Sequence, residues 1–315
     1  MSCVPVDAAA EACANCGKEG TDGVKLKNCT ACRLVKYCGT DCQKIHRKQH
    51  KKACKKRAAE LKDEKLYGQG HERVEEDFCP LCLLAIPLPL PHYASLHPCC
   101  AKMVCNGCNY ASYHQGICDS CPFCRTVYPK SDEESFGMTK KRVAARDPRA
   151  ICQLGAMYRS GLVGLEKNVP RAVELLSEAA DLGSAAALVE LGVAYHTGSG
   201  VAQDKAKGTR CWESGAMKGE ITCRHKLGLL EIVDNKNYDR GLRHYLISAK
   251  MGYKDSLDAI KEMFAEGRAT KAQYAEALRG YQDAVEEMKS PERDEAAKIL
   301  GPESPLGPLG VGEPA

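Results

Sequence analysis

From about residue 148 onward, apolar positions recur in paired amphipathic stretches. Leu188, Leu191 and Tyr195 share one helical stripe, and Cys211, Trp212 and Gly215 mark its partner. The pair Leu-Gly returns at 154–155, 191–192 and 227–228, spacings of 37 and 36. A second glycine series, Gly183, Gly219 and Gly252, keeps spacings of 36 and 33. A fixed period in this range predicts stacked helical hairpins, each burying its apolar face only on its neighbours. Small residues such as Gly155, Gly192, Ala180 and Ala216 let the helices approach closely. In "YHTGSGVAQDKAKG", Gly198 and Gly200 end one helix and Asp204 opens the next. Thr270 with Gln273 forms a capping box for a helix carrying Tyr274, Leu278, Tyr281, Val285 and Met288 on one face. Ser290-Pro291 starts a further helix.

The N-terminal half lacks this periodicity and carries cysteines instead. Of 20 in the chain, 17 precede residue 125. They come as C-x-x-C pairs mixed with histidine, which favours reduced thiolates holding zinc over a disulfide framework. The start, "MSCVPVDAAAEA", lacks the basic and apolar segments of a secretory signal. The longest apolar run, "LCLLAIPLPLP", is broken by Pro87, Pro89 and Pro91 and cannot span a bilayer. The expectation is a soluble chain in the reducing cytoplasm or nucleus.

The first cluster begins with Cys13-x-x-Cys16 and Cys29-x-x-Cys32. Cys42, His46, His50 and Cys54 then follow at steps of four, along one stripe of a helix. One ion cannot serve them all. Cys42 and Cys54 would lie roughly 18 Å apart along the axis, whereas zinc bonds are about 2.0–2.3 Å long. Cys38 and Cys42 can share one ion, His50 and Cys54 another, and each pair takes a C-x-x-C as its complement. Residues 13–54 here resemble the MYND zinc finger. The resemblance implies interleaved sites: Cys13, Cys16, Cys38 and Cys42 on one zinc, Cys29, Cys32, His50 and Cys54 on the other. His46 is then solvent-facing or supports a ligand from behind. MYND fingers commonly bind short proline-containing peptides, often with a tryptophan where this chain has Arg47. With four protein donors per ion, no coordination position is left for water, so the expected role of the zinc is structural.

A second cluster follows a charged linker expected over residues 55–77. Its order is Cys79-x2-Cys82, Cys99-Cys100, Cys105-x2-Cys108 and Cys121-x2-Cys124. Residues 79–125 resemble a RING finger of a degenerate, cysteine-rich type, within a module expected at 78–128. The cross-braced pairing this implies puts Cys79, Cys82, Cys105 and Cys108 on one zinc. Cys121 and Cys124 belong to the other, with one or both of Cys99 and Cys100. The histidine usual before the fifth ligand is Lys102 here, so either Cys99 or Cys118 supplies the missing thiolate, or the site is incomplete. RING fingers recruit ubiquitin-conjugating enzymes through an apolar residue between the first ligands and a basic one after the last. Leu81 and Arg125 hold those positions.

Beyond a second charged linker at 129–147, the repeats resemble Sel-one-like repeats, relatives of the tetratricopeptide group. The signature "LG-x2-Y-x2-G-x-G-V-x2-D" is present at Leu191–Asp204. The first copy keeps Tyr158 and Gly161 but has Asn168 at the Asp position, and the third has Glu231 for Tyr and "VDNKN" for the Gly turn. The expected layout is therefore multi-domain: a MYND finger at 13–54, a RING-like finger at 78–128, an all-α solenoid at 148–267 and capping helices at 268–300. Disorder is expected at 1–12 and at the Pro/Gly-rich end, 301–315.

Net charge, +4, is unremarkable over the whole length, but residues 44–57 hold eight Lys or Arg and no acid. No aromatic residue interleaves with them, so base stacking has no platform and a solvated helix face is the expectation. Phosphate-loop, nucleophile-elbow and HExxH motifs are all missing, which excludes the conventional enzymes they mark. The expected function is a zinc-binding protein–protein interaction adaptor holding four Zn2+. The alternatives are a ubiquitin ligase working with a conjugating enzyme, and a nucleic-acid-binding regulator using the basic helix.

Overall fold

The structure, a computed structural model, describes residues 12–20 and 23–300; the ends expected to be disordered lie outside them, Ala12 apart. The chain divides into two units, residues 1–68 and 69–315.

In the first unit, short strands β1 (Lys27–Asn28) and β2 (Lys36–Tyr37) pair antiparallel, and α1 runs from Thr40 to Tyr67. The core is small: Cys13, Cys29, Cys32 and Tyr37 are buried, with Leu26 and Val35 packed on them. A module this short cannot build an adequate apolar core, so its ligand sulfurs are its interior. The helix does not stop at Cys54. It continues for 13 residues through the expected linker, because "AAELKDEKL" is rich in strong helix formers. Arg57 also pairs with both Glu60 and Glu64 along that stretch.

The second unit opens with a segment that is not a free linker either. Buried Arg224 donates from Nη2 to the carbonyls of Gln69 (2.6 Å) and Ala216 (2.9 Å), pinning residue 69 to the repeats. Gly70 sits at φ +66°, where a Cβ would lie 1.9 Å from the Ala216 carbonyl oxygen. Arg73 and Asp77 form a buried ion pair at 3.3 Å, and a 3-10 turn spans Glu75–Asp77.

The second cysteine module follows. It contains α2 (Leu90–Tyr93), the hairpin of β3 (Ala94–His97) and β4 (Lys102–Cys105), and α3 (Asn106–His114). The hairpin pairs Ala94 with Cys105 and His97 with Lys102. Cys79, Ile86, Ala94, Val104 and Cys105 form the module's core.

The expected linker at 129–147 holds a helix, α4 (Asp132–Ala144). Ser131 caps it by accepting from Glu134 N, and the acids at its start and the bases at its end suit the helix dipole. Phe136 and Val143, seven residues apart, give it an apolar face that packs on the first repeat. The flanking charges hid that face.

The solenoid comprises α5 (Pro148–Ser160), α6 (Val169–Asp181), α7 (Ala185–Thr197), α8 (Lys205–Met217), α9 (Ile221–Val233), α10 (Tyr238–Lys250) and α11 (Lys254–Ala265). The second helix of each hairpin is capped at the same place in the period, by Asn168, Asp204 and Asn237. The recurrent Leu-Gly glycine has one job: it receives a large side chain from its partner helix. A Cβ there would meet Leu176 at residue 155 (3.1 Å), Trp212 at 192 (2.0 Å) and Tyr245 at 228 (2.5 Å). In the eroded third copy, Glu231 pairs with Arg240 at 2.8 Å, so an ion pair stands where the signature has Tyr. The Thr270–Gln273 capping box opens α12 (Lys271–Glu287), whose Tyr274, Leu278 and Tyr281 cover the last hairpin. Last comes α13 (Pro291–Leu300). It packs on α3 of the cysteine module, not on the solenoid end as a cap would.

Candidate metal centres

Four groups of four donors converge, each within 4.8 Å of one another. They are Cys13, Cys16, Cys38 and Cys42; Cys29, Cys32, His50 and Cys54; Cys79, Cys82, Cys105 and Cys108; and Cys99, Cys100, Cys121 and Cys124. Tetrahedral zinc with about 2.3 Å bonds to sulfur requires sulfurs about 3.8 Å apart. The Sγ–Sγ edges Cys16–Cys38 and Cys38–Cys42 are both 3.6 Å. Cys29–Cys54 and Cys82–Cys105 are 3.8 Å, and Cys100–Cys121 is 3.9 Å. Cys99–Cys124, at 3.3 Å, is the tightest. The donor sets fit the ion.

Local structure explains the convergence. The pairs at Cys13, Cys29, Cys79 and Cys121 lie on tight turns, and Cys105-x-x-Cys108 on the first turn of α3, where Cys105 Sγ accepts from Cys108 N at 3.4 Å. Burial pushes the Cys13 thiol up, yet backbone hydrogen bonds from Cys16 and Cys38 outweigh it and bring it down to about 6. His50 and Cys54 stand one turn apart on α1, and Cys32 Sγ lies 3.1 Å from His50 Nε2. Burial and neighbouring His46 lower the His50 pKa, which favours the neutral imidazole that zinc binds. His46 itself is not a donor. Its Nδ1 is 3.0 Å from the Tyr37 hydroxyl and its ring stacks on His50 at 5.7 Å, so it buttresses the ligand.

In the second module, Cys99 and Cys100 sit in the β3–β4 turn, where Ala101 takes a left-handed φ of 53°. That turn lets adjacent cysteines face one centre. Cys118 does not join them: it is exposed and its thiol donates to the Tyr113 carbonyl. Lys102, at the position of the missing histidine, is exposed on β4. Sequence reasoning missed His97, which is buried, 3.2 Å from Asn109 Oδ1 and stacked on Tyr128. Hydrogen bonding from Cys100 holds the Cys121 thiol down at about 2; burial opposes this and His97 adds to it. No spacing rule flags a histidine two residues before a ligand as a support for a different one.

Residues 13–54 match the MYND finger family, and residues 148–184, 185–220 and 228–253 match the Sel1 repeat family. The chain carries a MYND finger and Sel1 repeats. Among solved structures it is similar to a Sel1 repeat protein from Oxalobacter formigenes. That match has 24% identity and a TM-score of 0.45, and covers 62% of this chain and 76% of that one. It is also similar to a protective antigen of uropathogenic Escherichia coli displaying an SLR fold. There the identity is 18% and the TM-score 0.43, over 64% of this chain and 50% of that one. An immunity protein from Pseudomonas aeruginosa matches at 20% identity and a TM-score of 0.38, over 62% and 69% of the two chains.

The MYND finger accounts for the first two donor groups, with the ligand sets expected from the interleaved pattern. Each is closed by four protein donors, so the chemistry available is binding and bracing. The Sel1 repeats add no donor cluster among the described residues. They carry an open cleft of about 260 Å³ between α7, α8 and α9. Leu229 and Val233 line its rim, 42% and 51% exposed, and Trp212 forms its floor. No helix among the described residues is long and apolar enough to cross a membrane.

Proposed function

We propose that the chain is an interaction adaptor of a reducing compartment, cytoplasm or nucleus. Four structural zinc ions would build its two finger modules, and the Sel1 repeats would display a surface for other proteins. The observation that carries this reading is closure: each of the four donor groups supplies a full tetrahedral set, with no position left for a reacting water. No cysteine among the described residues is in a disulfide, which leaves the sulfurs available to metal. The exposed Leu229 and Val233, flanked by Lys226 and Asp234, suit an apolar segment with polar flanks. Native mass spectrometry tests the metal reading. Four zincs per chain are expected; a count of two would leave half of the donor groups without metal and overturn the four-zinc reading, and three would point to a defective centre in the second module.

A second reading, ubiquitin ligation through a RING-like second module, is favoured by one observation. Leu81 is 39% exposed and Arg125 is exposed too, so the residues expected to engage a conjugating enzyme are accessible. Catalysis would then be positional, holding a thioester in a reactive geometry without covalent participation. Autoubiquitination with a broad panel of conjugating enzymes separates the two. Chain formation abolished by Leu81→Ala supports ligation, and no chains with any partner leaves the adaptor reading. The basic face of α1 is exposed and carries no aromatic platform, so no nucleic-acid role is assigned to it.

A further inference from the structure

The guanidinium of Arg293 lies far along the chain from the second cysteine module yet ends inside it. Nη2 is 3.4 Å from Cys82 Sγ and 3.2 Å from the Leu84 carbonyl. Nη1 donates at 2.6 Å to the carbonyls of Ala85 and of Met288, the residue that ends α12. One side chain thus joins a metal-binding sulfur, the turn that carries it and the end of the repeat cap. The backbone follows it in. At Gly107 on α3, a Cβ would lie 2.6 Å from Arg293 N and 2.8 Å from Arg293 Cγ, so only glycine admits α13 at this distance.

We infer that Arg293 is a positioning residue for the centre formed by Cys79, Cys82, Cys105 and Cys108, and that zinc occupancy there and docking of α13 are thermodynamically linked. The inference rests on the reading that this centre holds zinc. Four thiolates on one Zn2+ leave a net charge of −2, and a half-buried site screens it poorly. A charge-assisted N–H bond to sulfur stabilises the loaded state, whereas an empty, protonated centre gives the guanidinium little to hold. Linkage is reciprocal: what α13 contributes to zinc retention, zinc returns to α13. The second module is then a latch that fastens the C-terminal helices when metal is present.

The test uses the full-length, zinc-loaded chain challenged with a chelator. Zinc loss is followed by native mass spectrometry, and the emptied centre is located by maleimide labelling. Hydrogen exchange reports on α13. In Arg293→Leu, one zinc of four should leave about 10- to 100-fold faster, the usual effect of losing an outer-shell partner, with labels appearing at Cys82 and Cys108. Arg293→Lys keeps the charge and should recover part of the difference; a purely steric role would leave Lys and Leu alike. In the converse experiment, Cys82→Ser should drop the zinc count by one. It should also deprotect the amides of 291–300 while exchange in α5–α10 is unchanged. Wild-type release kinetics in Arg293→Leu, or a protected α13 in the zinc-depleted Cys82→Ser chain, overturns the inference. A wild-type chain already labelled at Cys82 and Cys108 before chelation would instead show that the zinc reading of this centre fails, and the linkage with it.

Discussion

Gly192→Ala sets two physical effects against each other, and their sizes decide the sign. Intrinsic helix propensity favours alanine by about 1 kcal/mol in a helix interior. Packing opposes it. The new Cβ would lie 2.0 Å from Trp212 Nε1, 2.3 Å from Cδ1 and 2.6 Å from Cε2, against a comfortable carbon separation of about 3.5–4.0 Å. The indole must retreat, and it has little room, being 4% exposed. Overpacking of this kind costs about 1–3 kcal/mol. Withdrawal also breaks the 3.3 Å bond from Nε1 to the Val189 carbonyl, worth about 1 kcal/mol. The balance is a loss of about 1–3 kcal/mol, a Tm lower by about 2–4 °C per kcal/mol in a unit of this size. Trp212 is the chain's single tryptophan, so one variant gives two readouts: the melt at 222 nm and the indole emission, which should shift red. Gly155→Ala is the milder comparison: its Cβ would meet Leu176 Cγ at 3.1 Å and Leu176 Cδ2 and the Ala172 carbonyl oxygen at 3.3 Å, overlaps that a shift of a few tenths of an ångström relieves, so its loss should be clearly smaller than that of Gly192→Ala. A Tm that rises in Gly192→Ala with unchanged emission would refute the reasoning.

Two further predictions concern single side chains. Native mass spectrometry should count four zincs in Cys118→Ser but three in Cys99→Ser; the reverse result would mean that Cys118 completes the fourth centre. Burial, then the charge of nearby Asp77, lifts the Glu220 carboxyl to about 7, from about 4.3 unfolded. The folded chain therefore binds the proton more tightly across that window, and stability falls as pH rises through it. Glu220→Gln keeps an oxygen for the Thr222 N–H that Glu220 accepts at 3.1 Å and removes the titration. Its Tm advantage over wild type should widen from pH 6 to pH 8, and a constant difference would count against the buried-carboxylate account.

The grouping of the MYND donors was legible because a helix converts sequence steps into distances, and Cys42, His50 and Cys54 declare which of them can meet. The repeats were legible for a related reason: the Leu-Gly glycines mark where Leu176, Trp212 and Tyr245 enter. The second module was legible only in part. Spacing left Cys99, Cys100 and Cys118 open, because the choice depends on the left-handed turn at Ala101. Both expected linkers proved ordered; charge on the outer face concealed Phe136 and Val143 within α4, and Arg224 holds Gln69 through a backbone carbonyl that no composition reveals. Arg293 was invisible because its partner, Cys82, is 211 residues away, and single-sequence patterns report only local order.

That separation bears on how the molecule is made. A ribosome adding about 5–20 residues per second exposes Cys82 to metal well before Arg293 has been polymerised. If the proposed linkage holds, the second module would pass through a period, roughly ten to forty seconds at those speeds, in which it would have to hold its ion without its clasp. Loss of the last helix, by nonsense mutation or clipping, would make that provisional condition permanent, and under the proposed linkage its damage would surface 211 residues upstream, at Cys82.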